Sequence, residues 1–362
     1  MKHTITTIGS HSALDVCEGA KAEGFNTLVV CQKGRDATYS KYYKTRKRGE
    51  KEIGVVDEVL ILDKFKEMAA EKNQKKMKDK NSVFIPNRSF AVYVGYDNIE
   101  NNFSVPIFGN KYLLKAEERN VEKDQYYLME KAGVNFPRII KSPDKIDTLS
   151  IVKVSEAKRS YERAFFLARS SEEYVEKSEE LLKQGKITEE GLEKAKIEEY
   201  ILGAHFNFNF FYSPLSDELE LLGIDTRRQT NLDGFLRLPA DQQLELLKYT
   251  QPSTIETGHI ACTIRESLLQ QALEQGQRLV DAAKKEYPPG IIGPFALQGA
   301  MEEKEGERFV CFDVSLRIPG SPGTRFTPYT EYLFGESISF GRRIAMEIKE
   351  AEKTNQMEKL VT

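Results

Sequence analysis

The stretch Thr4-Ile-Thr-Thr-Ile8, Gly9-Ser-His-Ser12, Ala13 to Glu23, then Gly24 and Asn26-Thr-Leu-Val-Val-Cys31 alternates strand, loop, helix and strand. The apolar positions of residues 13–23 recur at helical spacing, and Gly24 ends that helix. Further strand or helix-entry signals follow at Val55 to Leu62, Ser82 to Pro86 and Phe90 to Gly95. Such alternation predicts an open parallel sheet, whose ligands sit at the carboxyl ends of strands. Gly9-Ser10-His11-Ser12 is such a strand-end loop, set just before a helix, where N–H groups and hydroxyls suit an anion. Ser12 also fits a plain helix N-cap. Asn87-Arg88-Ser89 is a second polar cluster, after the strand from Ser82.

Outward from this region, Phe108-Gly-Asn-Lys111 leads to a predicted helical stretch from Tyr112 to Ala132, closed by Gly133 and Pro137. Leu149-Ser-Ile-Val-Lys153 reads as a strand with a lysine at its end, which fits either a surface or a phosphate contact. Charged helices are predicted from Ser170 to Gly185 and from Thr188 to Lys196. His205 to Tyr212 alternates strictly, with His205, Asn207 and Asn209 opposite Phe206, Phe208 and Phe210. A strand from Glu218 to Arg227, a helix from Ile264 to Lys285 and an amphipathic helix from Ser339 to Lys359 complete the pattern.

Gly293-Pro-Phe-Ala-Leu-Gln298 and Phe309-Val-Cys-Phe-Asp313-Val-Ser315-Leu-Arg317 flank a charged turn whose midpoint falls at Glu305-Gly306. In a hairpin of that register Gln298 and Asp313 face each other, Cβ atoms roughly 5 Å apart. Asp313, Ser315 and Arg317 then share a face by the two-residue period. The set suits a hard cation and bridged phosphates, and equally the polar outer face of an ordinary hairpin.

The 362 residues allow two or three structural units. A net charge of -3 with interspersed Lys and Glu gives no case for nucleic acid. The basic run Lys44 to Lys51 reads as a solvated loop. Four scattered cysteines without a CxxC pair point to neither zinc nor a disulfide scaffold; Cys17, Cys31 and Cys311 read as buried thiols. With no signal-like N-terminus and no apolar run of membrane length, a soluble cytoplasmic protein with no membrane partner is expected. A charged fraction of 30% without Trp hints at heat adaptation.

Nearly the whole chain resembles the archaeal formate-dependent FAICAR synthetases, ligases with an ATP-grasp fold. The resemblance rests on Gly9-Ser-His-Ser-Ala-Leu14, Gly19-Ala-Lys-x-Glu-Gly-Phe25, Asp97-Asn-Ile-Glu-Asn101, Phe108-Gly-Asn110, Ile151-Val-Lys153, Glu198-Glu-Tyr200 and Tyr212-Ser-Pro-Leu215. It continues through Asn231-Leu-Asp-Gly234, Ile264-Arg-Glu-Ser-Leu-Leu269, Pro288-Pro-Gly-Ile-Ile-Gly-Pro-Phe295 and Gly341-Arg-Arg-Ile-Ala-Met-Glu-Ile348. It implies an α/β (α+β) chain with an open parallel-sheet pre-ATP-grasp domain over residues 1–110. An ATP-grasp domain over 111–362 would follow, with a lid at about 148–203.

The implied reaction makes FAICAR from AICAR, formate and ATP in purine biosynthesis, through formyl phosphate and with Mg²⁺ or Mn²⁺. By the same resemblance, His11, Ser89 and His259 would hold the ribonucleotide. Lys153, Lys158, Glu198, Glu199, Tyr200, Ile201 and Gln229 would hold ATP, Gln298 and Asp313 the metal, and Arg317 with Lys153 would serve phosphoryl transfer. Family members assemble as homo-oligomers.

The chain departs from the family at the site. The glycine-rich lid loop becomes Ala157-Lys-Arg-Ser-Tyr-Glu-Arg-Ala-Phe-Phe166, leaving charge from Lys158, Arg159 and Arg163 but no glycine. Gln229 replaces a glutamate, His259 an asparagine, and Asp313 the usual Glu; the loop after Arg317 reads Pro319-Gly-Ser-Pro-Gly-Thr324. Two alternatives stay open: an ATP-grasp ligase for another amine or acid, and a non-catalytic nucleotide-binding paralogue.

Overall fold

The computed structural model describes residues 2–119, 121–154, 164–250, 252, 255–304 and 306–362. Thr4–Ile8 pairs in parallel with Asn26–Gln32 and with Ser82–Ile85, and Glu58–Leu62 adds outside Asn26–Gln32. This is the open parallel sheet expected from the alternation. The carboxyl ends of Thr4–Ile8 and Ser82–Ile85 are neighbours, so the loop after the first meets the Asn87-capped helix Arg88–Val94 after the second. Ser10 and Ser89 Oγ atoms lie 2.6 Å apart, and Asn87 Nδ2 donates to the His11 carbonyl at 2.8 Å.

The second half is built on a five-stranded antiparallel sheet: Glu256–Cys262, Glu218–Gln229, Gly203–Ser213, Gly293–Glu303 and Glu307–Ser315, in that spatial order. Phe208, Phe210 and Phe295 on one face pack with Leu128, Met129, Ala272 and Leu279 from the helices Gln125–Ala132 and Glu266–Glu286. A smaller sheet, Ile139–Ile140, Lys196–Glu199, Ser150–Val154 and Ala164–Ala168, carries its own core of Val152, Val154 and Ile197. The helix Ser171–Lys183 follows it, with the Ser170 side chain accepting from the Glu173 N–H. Thr188 caps Glu189–Glu193 in the same way.

The C-terminal helix Phe340–Thr354 returns to the first sheet and crosses Ala13–Ala22. The crossing is glycine on glycine: a Cβ at Gly19 would lie 1.9 Å from the Arg342 nitrogen, and one at Gly341 2.0 Å from the Asp15 carbonyl oxygen. Phe340, Ile344 and Ile348 share a core with Ile5, Val16, Phe108 and Phe211. Phe211 lies on the same side of its strand as Asn207 and Asn209, so that face is polar at one end and closed against the first sheet at the other.

Three local readings are corrected. Residues 112–132 form two helices, Leu113–Ala116 and Gln125–Ala132, rather than one. The basic run 44–51 contributes to an exposed two-stranded ribbon, Arg46–Arg48 with Lys51–Ile53. Ser12 takes a left-handed backbone (φ 62°) and makes no cap; its hydroxyl donates to the Pro319 carbonyl at 2.6 Å. Cys17, Cys31 and Cys311 are buried as expected. Among the described residues no helix is long and apolar enough to cross a membrane.

Candidate active site

Sheet register assembles the polar site. Gln298 pairs with Asp313, Gln298 also with Asn207, and Asn207 with Asp225. One cross-strand row therefore carries Asp225, Asn207, Gln298 and Asp313 on four strands, on a common face. Asp225 accepts from Asn207 Nδ2 at 2.8 Å and Asn209 Nδ2 at 2.6 Å. The hairpin register expected for Gln298 and Asp313 is observed, with a one-residue irregularity immediately beyond it: Gly299 pairs with Cys311, leaving Phe312 as the extra residue. The strand ends at Ser315, which accepts from Gln298 Nε2 at 2.9 Å, and Arg317 lies past that end.

Above this row, between the two antiparallel sheets, lies a cavity of about 250 Å³. Its wall brings together Lys153, Glu198, Glu199, Tyr200, Ile201, Gln229 and Asp313, all singled out from sequence. Lys158 lies outside the described residues, as do Arg159 and Arg163. The Lys153 ammonium is 2.7 Å from Glu198 Oε2 and donates to the Phe312 carbonyl at 3.1 Å. Burial holds its pKa below the ordinary lysine value, against the opposing pull of Glu198. Tyr126 donates its hydroxyl to Glu198 Oε1, so this buried carboxylate is fixed from two sides.

Two arginines complete the cavity wall. Arg119 Nη2 contacts Asp313 Oδ1 at 3.0 Å. Arg227 donates to Gln298 Oε1, and its Nε lies 2.8 Å from Glu256 Oε2. Both were missed in the sequence, for different reasons. Arg119 falls between the two short helices, in the stretch read as one helix. Arg227 had a usable signal: Asp225, Arg227 and Gln229 alternate on one strand and share the face of Gln229.

The residues assigned to the ribonucleotide gather to one side. A Cβ on Gly320 would lie 3.5 Å from His11 Nδ1 and 3.7 Å from His259 Nε2, so the two histidines flank this glycine. Ser89, in the first turn of the helix Arg88–Val94, reaches this side through Ser10, the neighbour of His11. His259 is gripped by two carboxylates, Nδ1 to Asp225 Oδ2 at 2.5 Å and Nε2 to Glu256 Oε1 at 2.7 Å. Burial lowers its pKa, but these hydrogen bonds and charges outweigh it and push the imidazole up to about 9. Held as a cation, it donates from both nitrogens. Glu256 thus bridges His259 and Arg227, tying the histidine side of the site to Gln298.

Arg317 is placed apart from the larger cavity. Its Nε lies 3.4 Å from Glu117 Oε1, and it lines a small recess beside Ile85 and Pro86, at the end of the first sheet. Glu117 also accepts from the Leu316 N–H at 2.7 Å and lies 3.7 Å from Arg88 Nη1. This carboxylate joins the end of the strand Glu307–Ser315 to the start of the helix Arg88–Val94, which carries Ser89.

Family models described as a protein of unknown function (DUF1246) and a domain of unknown function (DUF1297) match residues 5–140 and 173–362. The 5-formaminoimidazole-4-carboxamide-1-(beta)-D-ribofuranosyl 5'-monophosphate synthetases of Methanopyrus kandleri and Methanocaldococcus jannaschii are each 41% identical to it, over 99% of this chain and 95% of theirs. The crystal structure of an IMP biosynthesis protein PurP from Thermococcus kodakaraensis superposes with a TM-score of 0.73 at 29% identity, covering 99% of this chain and 100% of that one. The ADP complex of purK, an N5-carboxyaminoimidazole ribonucleotide synthetase, shares the fold at 12% identity and a TM-score of 0.58, over 93% of this chain and 78% of that one. The fold is therefore ATP-grasp, as the sequence resemblance implied. The chain belongs to the family of 5-formaminoimidazole-4-carboxamide-1-(beta)-D-ribofuranosyl 5'-monophosphate synthetases.

Proposed function

We propose that this chain is an ATP- and formate-dependent ligase that formylates the 5-amine of AICAR to give FAICAR. The observation that carries the reading is the cavity in which Lys153, Glu198 to Ile201, Gln229 and Asp313 converge, whose wall residue Arg227 is tied through Glu256 to His259, which faces His11 across Gly320. A nucleotide in that cavity sets its base against Tyr200 and Ile201 and its phosphates toward Lys153 and the Gln298–Asp313 pair. Formate accepts the γ-phosphoryl group, and the amine of AICAR displaces phosphate from the resulting formyl phosphate. No protein nucleophile is needed, so the protein's contribution is positioning and charge.

The donor set fits a small hard cation. Gln298 and Asp313 offer one carboxamide and one carboxylate oxygen across a hairpin, which suits Mg²⁺ or Mn²⁺ shared with phosphates rather than a metal caged by protein alone. When bound there, the cation would neutralise developing phosphate charge. Lys153 adds a buried cation, and the surrounding Phe165, Ile201 and Phe312 keep water from a reactive acyl phosphate. His11, Ser89 and the His259 cation orient the ribonucleotide. The same reading makes the protein a cytoplasmic homo-oligomer acting on small molecules.

The test is ADP release with each reactant withheld in turn. ADP that appears only when ATP, formate and AICAR are all present supports the assignment. ADP release that depends on another amine or acid moves the chain to a different ligase. AICAR binding without nucleotide binding leaves a ligand-binding paralogue.

A further inference from the structure

The cations of the cavity are already engaged, and their partners are the groups just assigned to metal and nucleotide. Arg119 contacts Asp313, Arg227 donates to Gln298, and Lys153 pairs with Glu198. Among the described residues there is also no group of three or more His, Cys, Asp or Glu side chains that could hold a metal ion by itself. We propose that Arg119 and Arg227 cap the two metal ligands in the nucleotide-free protein, so that a divalent cation enters only together with a polyphosphate. This rests on the assignment of the cavity to a metal–nucleotide complex.

The argument is one of charge exchange. A bare divalent ion reaching Asp313 must displace the guanidinium in contact with it, and brings no acceptor to replace that carboxylate for a partly buried Arg119. A metal–polyphosphate brings acceptors for the displaced arginines. Each guanidinium then trades a protein oxygen for phosphate oxygens, in the planar geometry that guanidinium groups favour, while Asp313 and Gln298 turn to the metal. In the first case one charge pair only replaces another and a guanidinium loses its carboxylate, whereas in the second the phosphates add charge pairs for both arginines. Arg227 is steadied for this exchange by Glu256, which keeps a contact to its Nε while the Nη2 contact to Gln298 is given up. The arrangement puts cations that can bind phosphate on the strand Glu218–Gln229 and on the segment before Gln125–Ala132, in a chain whose lid loop has no glycine to let its backbone approach phosphates closely.

The experiment measures Mn²⁺ binding by electron paramagnetic resonance, with Mn²⁺ alone and with Mn²⁺ plus a non-hydrolysable ATP analogue. The wild-type protein should hold Mn²⁺ weakly alone and much more tightly with the analogue. Arg119→Gln should tighten Mn²⁺ alone by roughly tenfold, the factor that about 1.4 kcal/mol of released competition represents. It should weaken Mn²⁺ plus analogue. Adding Asp313→Asn to that variant should remove the gain, and Arg227→Gln should show a smaller gain because Gln298 is neutral. Arg119→Lys, which retains the charge, should stay blocked, and thermal unfolding confirms that each variant is folded. If Arg119→Gln does not fold, Arg227→Gln decides the matter by the same reading. Unchanged Mn²⁺-alone affinity in the folded variants, or a wild type that binds Mn²⁺ equally well without nucleotide, overturns the proposal. A wild type that never binds Mn²⁺ with the analogue fails differently, because it removes the nucleotide site itself.

Discussion

Asp313 is the residue on which chemistry and structure separate most cleanly. It faces the cavity, its side chain is 21% exposed, and it contacts the Arg119 cation of a neighbouring turn. Asp313→Asn should weaken MgATP binding at least tenfold, about 1.4 kcal/mol, with a smaller loss of folding stability, because an amide oxygen at this position still accepts from Arg119. A large stability loss with unchanged affinity would return the residue to a structural role. His259 makes the opposite kind of claim. Its folded pKa, about 9, lies above the ordinary 6.5, so its contribution to stability is complete below pH 6.5 and fades as pH rises through 9. The advantage of the wild type over His259→Asn, on the order of 2–3 kcal/mol at pH 6, should shrink steadily toward pH 10 in urea unfolding series. A pH-independent difference would mean that the imidazole is not held as a cation.

At the scale of elements, the C-terminal helix is clamped to the large sheet by a buried ion network. Arg343 gives two hydrogen bonds to Glu220, at 2.7 and 2.8 Å, and a third to Glu347 at 2.8 Å, and its guanidinium lies 4.2 Å from the Phe211 ring centre. Arg343→Ala strands two buried carboxylates and should cost about 3–5 kcal/mol in denaturant unfolding. A loss below about 1 kcal/mol would show that the helix is held by its apolar face alone. Elements such as this helix, the parallel strands and the Gln298–Asp313 register were legible because they rest on local periods of 3.6 and 2 and on a marked turn. The break inside residues 112–132 was not, because no Gly or Pro marks it. It is imposed from outside: Glu117 accepts the Leu316 N–H, Gln125 accepts the Val314 N–H, and Asp124 caps a new helix. That tertiary demand also delivers Arg119 to the cavity. The row from Asp225 to Asp313 was equally hidden, since its two hairpins are joined by the long-range pairing of Gly203–Ser213 with Gly293–Glu303, which no sequence period encodes.

Across the whole molecule, the ends of the parallel sheet and the polar face of the antiparallel sheet meet at one place. Ser12 reaches Pro319, His11 and His259 flank Gly320, and Glu117 lies between Arg317 and Arg88. On the function proposed above, these contacts, with Glu256 between His259 and Arg227, link the segments that would hold the ribonucleotide to the cavity that would hold ATP, as delivery of an amine to an acyl phosphate requires. Loss of the lid glycines leaves that junction intact, so the account expects catalysis to survive the loop's divergence. The most direct measurement follows isotopically labelled formate in the presence of ATP, Mg²⁺ and AICAR. Label should appear in the formyl group of FAICAR, in one-to-one proportion with ADP. Label that never leaves formate, in protein shown to bind both AICAR and MgATP, would contradict it.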